Sequence, residues 1–308
     1  MPELHDIYVN GIRMHFAREG EGPLVILLHG WPETWYSWRH QIGALAAAGY
    51  QVVAPDQRGF GRTQVPADVD QYTILHVVGD VIGLVQALGE ESAVVVGHDW
   101  GAPVAWSAAM MRPDMVRGVV GLSVPPTLRH PSLPPLELAR QRFGERFYQI
   151  YFQKAGVAEE ELGKDPMTTF RKVLAGGTGS AALVLEPGAG LLDGMIDPEV
   201  LPGWLTAQDI EVFAAAYEWS GFTGGLNWYR NIDRNWELTA PWQGAPINPP
   251  AMFLIGDRDP VRPYFALDTL DVLSDLREIV EIEDAGHWTQ QEQPEQVNAA
   301  LLRFLGAL

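Results

Sequence analysis

Gly97-His98-Asp99-Trp100-Gly101 is the stretch of this chain with the clearest capacity for chemistry. An apolar run, residues 93–96, enters it, and a small-residue run with Ala102, Ala105, Ala108 and Ala109 leaves it, which reads as strand, very tight turn and helix. So sharp a reversal crowds the backbone, and the two glycines relieve the crowding while the apex residue is held in the open. Where the pattern Gly-x-Ser-x-Gly puts a serine at such an apex, this chain has Asp99. A carboxylate nucleophile forms an ester with the carbon it attacks, so it suits different bonds from an alkoxide. Two later clusters carry titratable groups just past strand-like runs: Gly256-Asp257-Arg258-Asp259, and Asp284 with Gly286-His287-Trp288. An acid that orients His287 would let the imidazole activate water. Asp257, Asp259 and Asp284 are all candidates for that acid.

These side chains need a rigid frame, and the rest of the chain describes one. Residues 7–10 and 12–19 alternate about Asn10-Gly11, a dipeptide that favours a type I′ hairpin, and predict an antiparallel sheet edge. Residues 24–28 form a continuous apolar run, as expected of a strand buried on both faces. A helix over 34–47, a strand over 51–54, and a helix from an N-capping Thr73 to Gly89 follow. The elbow strand, its helix up to Pro113 and a strand over 116–124 complete an alternation that favours a mostly parallel sheet flanked by helices. From Pro125 the rhythm changes to prolines, helical stretches at 136–152 and 209–219, and a glycine-rich loop at 176–190. This predicts a helical insertion over residues 126–240. The earlier pattern then resumes with a strand at 251–255, a helix at 263–273, a strand at 278–282 and a helix at 294–305. The order nucleophile, acid, histidine on such a frame is that of the α/β-hydrolase fold, with 1–125 and 241–308 as core domain and 126–240 as cap.

Composition narrows the function. With 308 residues, 47% of them hydrophobic, and 11 Trp, the chain can bury a large core. A net charge of -18 argues against a nucleic-acid partner. The absence of cysteine excludes disulfides, thiol catalysis and thiolate metal sites, and suits the cytoplasm. No basic-then-apolar leader opens the sequence, and the longest apolar runs are interrupted by Gly and Asp, so no signal peptide or membrane span is expected.

His29-Gly30-Trp31-Pro32 closes an early strand, where this fold supplies one backbone N–H to an oxyanion hole. Trp31 and Trp100 are the two expected donors. His29 and His98 are expected to brace their loops rather than to react. Trp31, Trp100, Phe152 and Trp288 are expected to line an apolar substrate pocket.

The chain resembles the α/β-hydrolase-fold epoxide hydrolases, close to the soluble class. The resemblance runs along nearly its whole length. It is carried by His29-Gly30-Trp31-Pro32-Glu33, Trp35-Tyr36-Ser37-Trp38-Arg39, Asp56-Gln57-Arg58-Gly59, the elbow and Gly286-His287-Trp288-Thr289-Gln290. Most specific are two strings in the insertion, Tyr148-Gln149-Ile150-Tyr151-Phe152-Gln153 and residues 221–231 around Asn227-Trp228-Tyr229-Arg230. The resemblance implies Asp99 as nucleophile, Asp259 as the acid behind His287, and two cap tyrosines, Tyr148 and Tyr229, as donors to the epoxide oxygen. Tyr151, one helical turn on, is the rival for Tyr148. A small-molecule epoxide would be the substrate and a vicinal diol the product, with no metal or organic cofactor. Exposed cap surfaces leave room for a homodimer. A haloalkane or haloacid dehalogenase shares the aspartate ester chemistry, and a catalytically silent ligand-binding protein could share the fold. Esterase or lipase activity is disfavoured, since no serine stands at the apex.

Overall fold

The computed structural model describes residues 2–176, 183–264 and 267–308. Eight strands, β1 (Glu3–Val9), β2 (Ile12–Glu19), β3 (Leu24–Leu28), β4 (Gln51–Pro55), β5 (Ala93–His98), β6 (Val116–Leu122), β7 (Ala251–Gly256) and β8 (Leu276–Ile282), form one sheet in the order β1-β2-β4-β3-β5-β6-β7-β8. β1 pairs antiparallel with β2, and β2 with β4, while every other pairing is parallel. This is the α/β-hydrolase fold expected from the sequence. At the hairpin both Asn10 (φ 46°) and Gly11 (φ 81°) are left-handed, as a type I′ turn requires.

β3 shows why its sequence is apolar throughout. Leu24, Ile26 and Leu28 join the core on one face of the sheet, while Val25 and Leu27 join the core on the other. Helices α1 (Arg39–Ala47), α2 (Ile74–Ala87) and α3 (Gly101–Met111) supply the covering layers in the first half of the chain. Ile42 and Leu45 of α1 pack on one side, with Val77, Val81, Ala102 and Ala105 of α2 and α3 on the other. The expected helix over 34–47 begins as a 3-10 turn, Trp35–Trp38, which Thr34 caps through its side chain. Thr73 stands at the N-cap position of α2, but its hydroxyl meets His76 Nδ1 at 2.8 Å. The first N–H of α2, on Ile74, donates instead to Asn235 Oδ1 at 2.7 Å, a cap drawn from far along the chain.

Between β6 and β7 the described residues are mainly helical: α4 (Pro135–Phe143), α5 (Tyr148–Tyr151), α6 (Val157–Gly163), α7 (Pro166–Arg171), α8 (Ala207–Ser220), α9 (Thr223–Arg230) and α10 (Ile232–Leu238). The single helix expected over 136–152 is broken, because Gly144 (φ 82°) ends α4 and α5 restarts at Tyr148. Of the glycine-rich stretch expected as loop, residues 177–182 lie outside the described residues. Past them, Val184 bridges Phe147. The helix expected over 263–273 is instead two 3-10 turns, Arg262–Tyr264 and Leu267–Val272, with 265–266 outside the described residues. α11 (Thr289–Glu292) and α12 (Pro294–Leu305) close the chain, the latter packing Val297 and Leu301 beside α1. Among the described residues no helix is long and apolar enough to cross a membrane.

Candidate active site

The elbow is as tight as its sequence implies. Asp99 has φ 48°, and a Cβ on Gly97 would lie 2.0 Å from the Gly101 carbonyl oxygen, while one on Gly101 would lie 2.1 Å from that of Leu28. Any side chain at either position would force the strand and helix apart. Asp99 is thereby presented at the carboxyl end of β5, the edge where open α/β sheets bind ligands.

Three chain segments converge on it. From the loop after β3, Trp31 N donates to Asp99 Oδ1 at 2.8 Å. From the loop after β8, His287 Nε2 lies 3.7 Å from Asp99 Oδ2. Behind the imidazole, Nδ1 donates to Asp259 Oδ1 at 3.1 Å, and Asp259 also accepts from Val261 N at 3.0 Å. The other candidate acids are turned elsewhere. Asp257 accepts from Ala285 N, and Asp284 pairs with Arg258 at the surface.

The charges reinforce one another. Burial alone would lower the His287 pKa, but Asp259 and Asp99 outweigh it and raise the imidazole well above its ordinary value. Burial pushes the Asp99 carboxyl up, and the attraction of His287 with the Trp31 N–H brings it below the usual carboxylate range. Asp259 is held low in the same way, burial being overcome by His287. The two carboxylates on either side of His287 therefore favour its protonated form.

Above Asp99 stand Tyr148 of α5 and Tyr229 of α9, both bordering a cavity of about 90 Å³ with Trp31, Asp99, His287 and Trp288. Their rings meet at 5.8 Å and 75°. Burial, then proximity to Asp99, raises the Tyr148 phenol, and burial raises that of Tyr229 well above the ordinary value, so both stay protonated. Gln149 Nε2 donates to the Tyr148 oxygen at 3.1 Å, leaving the phenol proton free to be given elsewhere. Tyr151 is turned away and donates to Glu161 at 2.7 Å. A second cavity of about 370 Å³ also borders Asp99 and Tyr148, with Trp100, Leu128 and Arg129 among its lining residues.

Of the residues expected to line a pocket, Trp31 and Trp288 border the first cavity and Trp100 the second. Phe152 borders neither. It is fully buried one layer back, its ring 5.2 Å from Trp31 and 4.9 Å from Tyr229, because it follows α5 on the face turned to the core. The backbone N–H of Trp100, the second expected oxyanion donor, makes no hydrogen bond to another protein group among the described residues.

His29 and His98 make bracing contacts. His29 Nδ1 donates to Gly30 O at 2.8 Å while its Nε2 accepts from Gln57 N at 3.0 Å, tying the loops after β3 and β4. His98 Nε2 donates to the carbonyl of His287 at 2.7 Å, and its Nδ1 meets Glu33 at 2.9 Å. Glu33 is fully buried and also accepts from Gly30 N, Gln290 and Gln291. Burial would raise its pKa, yet His98 and the Gly30 N–H keep it below the ordinary value. Sequence reading assigned Glu33 no part, and the only available signal was an acid inside the His29-to-Glu33 motif.

Comparison with known proteins agrees with this geometry. A family model described as alpha/beta hydrolase fold matches residues 23–175. Epoxide hydrolase A of Mycobacterium tuberculosis (strain ATCC 25618 / H37Rv) is 46% identical, with 97% of this chain and 96% of that protein covered. Epoxide hydrolase 3 of Siraitia grosvenorii is 42% identical over the same shares. The crystal structure of Epoxide Hydrolase A from Mycobacterium thermoresistibile superposes with a TM-score of 0.95 at 47% identity, covering 99% of this chain and 98% of that one. With the elbow aspartate, the histidine behind it and two tyrosines above, this chain belongs to the epoxide hydrolase family of the α/β-hydrolase fold.

Proposed function

We propose that this protein hydrolyses a small-molecule epoxide to a vicinal diol through an ester on Asp99. The observation that carries the reading is the single cavity shared by a carboxylate, a histidine and two neutral phenols. Residues 126–240 act as a cap that lowers Tyr148 and Tyr229 onto a core made of 1–125 and 241–308.

Asp99 Oδ2 attacks one epoxide carbon as that carbon's bond to oxygen breaks. The oxygen leaves as an alkoxide still tethered through the other carbon, and Tyr148 and Tyr229 hydrogen-bond it and supply its proton. Oδ1, already on the Trp31 N–H, becomes the ester carbonyl oxygen. His287 Nε2 then takes a proton from water, which attacks the Asp99 carbonyl carbon. The N–H groups of Trp31 and Trp100 hold the resulting oxyanion, and Asp259 holds the imidazolium. Collapse expels the diol oxygen, which takes the proton from His287; the Asp99 carboxyl left behind carries one oxygen from water and returns its remaining proton to the phenolate, which restores the carboxylate and both phenols. Trp31, Trp100 and Trp288 form apolar walls suited to aryl or alkyl epoxides, with Phe152 backing them.

A dehalogenase would share the first displacement, but a departing halide needs no proton and gives paired phenols no task. An activity panel of epoxides and haloalkanes, run beside Asp99→Ala, tests the reading. Diol formation lost in the variant supports it, and halide release without diol formation refutes it.

A further inference from the structure

The backbone on both sides of His287 ends on one side chain. Gly286 N donates to Glu292 Oε2 at 2.7 Å and Trp288 N donates to Glu292 Oε1 at 2.8 Å, so each carboxylate oxygen takes one of the two amides that bracket the histidine. We propose that Glu292 is a positioning residue for the second half of the reaction, holding His287 in line for ester hydrolysis without contributing to ester formation. The assignment rests on the Asp99 ester reading above.

Three observations support it. The amides of the turn around His287 end on Glu292 alone, while its carbonyls are held separately: Gly286 O accepts from Thr289 Oγ1 at 3.0 Å, and His287 O accepts from His98 Nε2 at 2.7 Å, Ser123 Oγ at 3.3 Å and Thr289 Oγ1 at 3.4 Å. The β5–β6 side and Thr289 thus grip the carbonyls, and Glu292 grips the two amides. Glu292 itself stands on a fixed base, since Gln290 and Gln291 of the same short helix both donate to buried Glu33, at 3.0 and 2.9 Å. Finally, two acceptor oxygens are needed at once. Glutamine has the same shape but presents one acceptor and an NH₂, so one of the two amides would face a donor.

The two chemical steps depend on His287 differently. Attack by Asp99 needs its own carboxylate, already oriented by Trp31 N, and the two phenols. Hydrolysis needs Nε2 placed to take a proton from water, and small misplacements of a general base are costly. Loosening the turn should consequently slow one step only.

The test is stopped-flow tryptophan fluorescence of the full chain with styrene oxide, joined to acid-quench mass spectrometry of the Asp99 ester. In Glu292→Gln the ester should form at the wild-type rate and be hydrolysed between about 10- and 100-fold more slowly. Then kcat and KM fall together while kcat/KM holds. The amplitude of ester formation counts competent sites, so a merely structural role would show as reduced amplitude with an unchanged hydrolysis rate per site. That outcome, or equal slowing of both steps, overturns the proposal. Glu292→Asp, which keeps both oxygens on a shorter arm, is read in the same way should the glutamine variant fail to fold. His287→Gln is run in parallel. If it accumulates no ester, the Asp99 reading itself fails; if it traps ester while Glu292→Gln hydrolyses normally, only the Glu292 assignment fails.

Discussion

The Nε2 atom of His287 lies 3.7 Å from Oδ2 of Asp99, too far for a good hydrogen bond and close enough for the two charges to act strongly on each other. The same imidazole is hydrogen-bonded through Nδ1 to Asp259. Two carboxylates thus raise the affinity of His287 for a proton, and one of them would be neutralised by ester formation on Asp99. Losing that anion would let the imidazole give up its proton to serve as a base.

Removing the Asp99 charge should therefore lower the His287 pKa. In Asp99→Asn, titration of the His287 ring by NMR should show a fall of about 1 pH unit or more, the usual effect of an opposite charge at this range. An unchanged titration would contradict the charge coupling. The sign for stability follows. Because the folded pKa of His287 is raised, its contribution is full below the unfolded histidine pKa and is lost as pH rises through the folded value. Thermal melts of wild type should decline over that window, and those of His287→Gln should decline less.

Asp99→Ala should abolish diol formation, and His287→Gln should trap the ester. A single turnover in isotopically labelled water should place label in Asp99 and none in the first diol released. Label appearing directly in that diol would mean that water, not Asp99, opened the ring.

Tyr148→Phe and Tyr229→Phe should each slow ester formation by about 10²-fold, the typical cost of removing one donor to a developing oxyanion, and the double variant should be nearly inactive. Tyr151→Phe, whose hydroxyl is committed to Glu161, should form ester at the wild-type rate. Equal losses in all three variants would refute the assignment.

Arg58 and Asp80 form a buried pair, with Nη2 to Oδ1 at 2.6 Å and Nε to Oδ2 at 2.8 Å, both side chains 2% exposed. The carbonyl of Arg58 also accepts from Trp228 Nε1 in α9, and Asp80 accepts from Asn10 of the hairpin. Arg58→Ala leaves an uncompensated buried carboxylate and should cost about 3–5 kcal/mol in denaturant melts. A loss below about 1 kcal/mol would mean that the pair is not desolvated as described.

Much of the frame was legible from local pattern. The hairpin at Asn10-Gly11, the apolar β3 and β5 and the helix closed by Gly89 are all set by neighbours in sequence. The departures have different causes. Thr73 lost its capping role to Asn235, a partner distant in the chain, whereas the helix over 136–152 is ended by Gly144 itself, whose positive φ is a local feature. Phe152 lies behind the pocket because aromatic character alone does not say whether a ring faces a cavity or the layer behind it.

Strain at the elbow is a property of a short segment and the order Asp99, Asp259, His287 is a property of the chain, so the proposed nucleophile and its general chemistry could be read from the sequence alone. Which carboxylate meets His287, which of Tyr148 and Tyr151 faces Asp99, and how Glu33 and Glu292 grip the surrounding loops depend on contacts between segments up to 258 residues apart. Packing had to settle these, because a hydrogen bond is decided by tenths of an ångström between atoms that the linear order leaves unrelated.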